Sequence, residues 1–148
     1  MSGVTQEYLE LMQQKTAILE RVLELTRGEV FTGEVEVAEK EAEAFANLYE
    51  RRDNILKRMV KIIARLEEID LPKDAPKCFT ERVDGILDEQ RAMASELLAM
   101  DKANIALYEK LKAHLQGNMK NVRQTIELNE RYMDESESPE SVLFDRTN

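Results

Sequence analysis

His114 is the one histidine in 148 residues. It is therefore the one side chain whose ordinary pKa puts a proton transfer, or a phosphoryl-accepting nitrogen, near neutral pH. It stands seven residues beyond Leu107, which follows Met93 and Met100 at the same heptad interval. That periodicity reads it as a half-buried packing residue. A di-metal carboxylate bundle needs Glu-x-x-His pairs on facing helices, and with a single histidine, preceded at three residues by Leu111, no such pairs form. Cys78, the only cysteine, has no local His or Cys to complete a zinc site and no mate for an intramolecular disulfide. Beside Pro76 at a helix entrance it could be reactive, but a small hydrophobe filling a loop fits the same position. Neither a Gly-rich phosphate loop nor a nucleophile elbow occurs. Catalysis needs tuned groups held in a cleft, and a rod-like bundle offers few clefts. The expectation is a protein that is no enzyme and holds no metal or cofactor.

The elements that position these residues are helices. One domain's worth of chain, 43% hydrophobic, can bury a core and is not wholly disordered. With 34% charged residues, no Trp, five Gly and three Pro, turns are few and an all-β fold is excluded. The formal net charge of −9 disfavours nucleic acid, which needs clustered cations to displace counterions, and disfavours anionic membranes for the same reason. The densest basic stretch, Arg51, Arg52, Lys57, Arg58 and Lys61, is interleaved with apolar positions and Asp53. It reads as the solvated flank of an amphipathic helix. The first residues lack the basic and apolar regions of a signal peptide, and no apolar run is long enough to span a bilayer. A cytoplasmic protein is expected.

Three helices follow from the 3.6-residue period, about 5–27, 35–69 and 79–133. The first carries Val4, Tyr8, Leu11, Lys15, Ile18, Val22 and Leu25, widened by Met12 and Leu19. Thr5 is placed to cap it and Gly28 to end it in a left-handed conformation. The second has its seam at Ala38, Phe45, Leu48, Ile55, Met59, Ile62, Leu66 and Ile69, with acidic residues in its first turns. Pro72 and Pro76 make the clearest break in the chain. The third carries Phe79, Val83, Ile86, Leu87, Met93, Leu97, Met100, Leu107, Tyr108, Leu111 and Leu115, and its pattern goes on past Gly117. Residues 134–148 read as a flexible, disordered acidic tail.

Short connections make sequential helices antiparallel, giving an all-α, antiparallel, coiled-coil-like three-helix bundle with a long C-terminal helix. If continuous, that helix is about 55 residues and ~80 Å long. Its last turns would then overhang both partners, leaving Met119, Val122, Ile126 and Met133 as an uncovered stripe. Met119 and Met133, as flexible thioethers, suit an adaptable binding surface. Val142, Leu143 and Phe144 interrupt the polar tail and are expected to dock onto this chain or a partner.

Two stretches carry a family likeness. One is Leu48-Tyr-Glu-Arg-Arg-Asp-Asn-Ile-Leu-Lys-Arg-Met59; the other runs from Asn118 to Tyr132 and resumes at Ser141-Val-Leu-Phe-Asp-Arg146. With the acidic composition and helix order, the chain resembles the small cytoplasmic export chaperones of the bacterial flagellum, the FlgN and FliT type. The Pro-rich second loop and Gly117 are departures from that pattern. The resemblance implies binding of C-terminal amphipathic segments of flagellar hook-junction or filament-cap subunits, and delivery to the type III export apparatus. The client-facing residues it implies are Met119, Val122, Ile126 and Met133, with Tyr132 and Phe144 as aromatic anchors. The alternative is a structural coiled coil that homodimerises through its C-terminal helix. Residues 113–117, Ala-His-Leu-Gln-Gly, are similar to a histidine phosphotransfer site. There, however, the glycine follows the histidine by four residues rather than three, with a lysine between.

Overall fold

The computed structural model describes residues 3–115 and 123–131, all of its regular structure helical with no strand among them. Helix α1 spans Gly3–Arg27, α2 Ala38–Glu68, α3 Lys77–Lys112, and a further helix, α4, is described over residues 123–131. A 3-10 turn, Val35–Val37, leads into α2 where the sequence predicts the helix itself to begin. The proline break lies as expected: α2 stops at Glu68, and Pro76 precedes the first residue of α3. Both the Phe79 and Thr80 amides donate to the Pro76 carbonyl, so Pro76 caps the start of α3 through its backbone.

Direction follows from the cross-links. Arg65 on α2 bonds Glu7 on α1, so these two helices are antiparallel. Along α3, Phe79 meets Tyr8, Gln90 Nε2 donates to the Met12 carbonyl, and Glu96 pairs with Arg27, so α1 and α3 run parallel. The core is stacked in three clusters. Tyr8, Leu9, Met12, Leu66, Ile69, Phe79, Val83 and Leu87 close the proline end. Leu19, Val22, Leu23, Leu56, Met59, Met93 and Leu97 fill the middle. At the far end Phe31, Phe45, Leu48, Tyr49, Tyr108 and Ile126 pack together.

The stripe on α1 is rotated from the sequence reading. Leu9 and Leu23 are buried and Val4 is exposed. Thr5 is fully buried in the first turn of the helix, its third residue, rather than standing before it as a cap. Gly28 does not turn left-handed either, since its amide continues the helical ladder to the Glu24 carbonyl at 3.0 Å. The left-handed residue is Gly33 (φ +75°), where a Cβ would lie 2.8 Å from Leu107 Cδ2. The loop backbone therefore presses directly onto α3.

The third helix is not continuous. It ends at Lys112, His114 N–H closes a turn on the Leu111 carbonyl, and α4 folds back. Arg123 lies 3.9 Å from Glu109, whereas fourteen residues of unbroken helix would hold them about 21 Å apart. The physical reason is the unequal lengths of the helices. α1 has 25 residues against 31 and 36 for α2 and α3, so it reaches the far end of the pair only with Leu25 in its last turn. Phe31 from the loop and Ile126 from α4 fill the rest. The expected overhang is a helix that turns back to complete the core. Gly117 and the acidic tail lie outside the described residues.

Candidate functional site

The far end of the bundle gathers four of the six aromatic side chains among the described residues. Phe45 is central. It stacks on Tyr108 at 5.1 Å and packs against Tyr49 at 4.5 Å and Phe31 edge-on at 5.2 Å. Ring pairs at these separations favour one geometry beyond the area they bury. Ile126, 6% exposed, is inserted among them. Three residues on, Asn129 is completely buried, and its Nδ2 donates to the Tyr49 carbonyl at 2.5 Å and to the Thr125 carbonyl at 3.2 Å.

One layer deeper lies the most charged feature of the interior. Arg52, with no exposed surface, donates Nη1 and Nη2 to the two carboxylate oxygens of Asp101 at 2.5 and 2.9 Å. Its guanidinium lies 4.6 Å from the centre of the Tyr49 ring, and the Tyr49 hydroxyl donates to Asp101 at 2.8 Å. Burial, and then the Asp101 charge, push the Tyr49 phenol well above its usual range, so it remains a donor. A sealed, bidentate pair of this kind fixes the register of α2 against α3 and offers no exposed reactive atom.

The loop before α2 is held by a second buried acid. Glu41 accepts from the Thr32 amide (2.7 Å), the Thr32 hydroxyl (2.9 Å) and the Gly33 amide (2.9 Å). Burial pushes its carboxyl upward, but these bonds outweigh it and hold the pKa below the ordinary 4.5. The loop thus delivers Phe31 to the aromatic cluster. A shallow groove of about 420 Å³ lies apart from this, between α1 and α3, lined by Gln13, Thr16, Ala17, Glu20, Arg82, Gly85, Ile86 and Glu89.

Of the residues expected to face a client, Ile126 is turned into the bundle, while Met119, Val122, Tyr132, Met133 and Phe144 lie outside the described residues. His114 is exposed at the end of α3 and not half-buried, because the heptad it extends stops with the helix at Lys112. Cys78 is also exposed. Among the described residues no group of three His, Cys, Asp or Glu is arranged to hold a metal ion. The basic stretch is the solvated flank expected at Arg51, Lys57, Arg58 and Lys61, which are exposed, but Arg52 departs from it and is fully buried. The signal was present: it stands three residues after Tyr49 and four before Leu56, in the seam itself, as Asp101 stands four after Leu97. Comparison with models of protein families, with curated proteins and with solved structures returned no match. The candidate site is therefore read from its own geometry.

Proposed function

We propose that the protein is a cytoplasmic chaperone of flagellar type III export. It binds C-terminal amphipathic segments of hook-junction or filament-cap subunits, keeps them unassembled and passes them to the export apparatus. It acts as a helix-binding module, without catalytic or cofactor chemistry of its own. One observation carries this reading: the far end of the bundle holds a helix that is not one of its three long members. With α1 reaching Phe45, Tyr49 and Tyr108 only through Leu25, a separate helix completes their cover through Ile126 and Asn129. Ile126 and Asn129 anchor α4 on this end of the bundle, which makes it the element a competing helix can displace. A longer client helix with more apolar surface can take its place. Ile126 is then the residue a client displaces, not one it touches, and the contact surface is the seat beneath it.

Co-expression with hook-junction and cap subunits tests this. Capture is expected, stronger for Ile126→Asp, which empties the seat, and weaker for Phe45→Ala. Failure of the intact and Ile126→Asp proteins to capture any such subunit refutes it. Light scattering tests the alternative, in which the seat binds a second copy: a dimer that persists when Ile126 is replaced favours self-association.

A further inference from the structure

The seat under α4 has a chemical preference as well as a shape. Ile126 and Asn129, three residues apart, project from one face of the helix. The Asn129 amide nitrogen is well used on the Tyr49 and Thr125 carbonyls. Its oxygen is not, since Oδ1 is buried and finds no hydrogen-bond partner among the described residues. Asp53 stands one turn beyond Tyr49 on the same helix. Its Oδ1 is likewise buried and without such a partner, while Oδ2 reaches the largely exposed Lys57 at 3.4 Å. The seat thus presents two acceptors, the Tyr49 carbonyl and the Asp53 carboxylate. Asn129 answers the first and adds an unmatched acceptor of its own. A cationic side chain at this position brings donors only, and its length spans the single turn from Tyr49 to Asp53. The charge of Arg52 is answered by Asp101 through both terminal nitrogens, while its Nε is a buried donor with no hydrogen-bond partner among the described residues.

We infer that the seat selects a client helix bearing a bulky aliphatic residue and, three positions later, a lysine or arginine. This rests on the proposed capture of client helices. The cation bonds the Tyr49 carbonyl and pairs with Asp53; the aliphatic side chain enters the Phe45–Tyr108 cluster.

The test uses full-length protein carrying Ile126→Asp and two labelled peptides spanning residues 120–133, one of native sequence and one with Asn129→Lys. Fluorescence anisotropy should give about tenfold tighter binding for the lysine peptide, the order expected of a close charge pair. Adding Asp53→Asn to the protein should abolish that advantage while leaving the native peptide within about twofold. Equal binding of the two peptides overturns the preference and leaves helix capture standing; binding of neither overturns both. A second measurement needs no emptied seat. In the otherwise native chain, Asn129→Lys should slow hydrogen exchange of the 123–131 amides, and Asp53→Asn should reverse the gain. No slowing refutes the inference independently of the peptides.

Discussion

Arg52 and Asp101 occupy positions in the helical seams where apolar residues would ordinarily sit, and each is tolerable only because of the other. Removing one partner strands a buried charge, a loss of about 3–5 kcal/mol for such pairs. Asp101→Ala should therefore lower the free energy of unfolding by that order in urea denaturation. Replacing both together, as Arg52→Met with Asp101→Leu, should recover most of it, because the desolvation of both ions is avoided. Arg52 was legible in outline from its place between Tyr49 and Leu56, but period alone does not distinguish a core arginine from a flanking one. What decides is whether an acid arrives opposite, and Asp101 is 49 residues away in sequence. Asn129 was still less legible: its meaning comes from a backbone carbonyl 80 residues away.

Loop 28–34 and α4 are the elements whose attachment decides the shape of the far end. Glu41 holds the loop with its pKa depressed, so the sign is fixed: its contribution is fully present above about pH 4.5 and is lost as pH falls through the lower folded value. Unfolding measured from pH 7 down to pH 3 should show a steep acid limb in the native chain. In Glu41→Gln that limb should be shallower and stability at pH 7 lower. Gly33→Ala should cost about 1–2 kcal/mol in thermal unfolding, chiefly through its positive φ. The Leu107 methyl it would meet is the end of a flexible side chain and can move. The existence of α1, α2 and α3 and the proline break were readable because long apolar periods and imino acids act locally. The fold-back of α4 was not. Ile126 fits the continued helical period equally well, and only the length deficit of α1 decides between overhang and return.

Across the whole molecule, stability should be graded. The proline end and middle are built from three long helices, whereas among the described residues α4 buries only Ile126 and Asn129. Hydrogen exchange should find the slowest amides in α2 and α3 beside Leu56, Met59 and Leu97, and the fastest helical amides in 123–131. Ile126→Asp should raise exchange in α4 and at Phe31 while leaving the layer around Tyr8 and Phe79 unchanged. Among the described residues no helix is long and apolar enough to cross a membrane.

The separation of Ile126 from the rings it covers also sets an order in time. Phe31, Phe45, Tyr49 and Tyr108 are all joined to the growing chain before Ile126 is made. At ~5–20 residues per second the interval from Tyr108 to Ile126 is roughly one to four seconds. Each newly synthesised molecule thus passes through a stage in which its aromatic residues lead and its own cover is not yet free to dock. Under the proposed function, a client helix present at that moment meets no competitor, so co-synthesis should load the protein more readily than mixing finished chains.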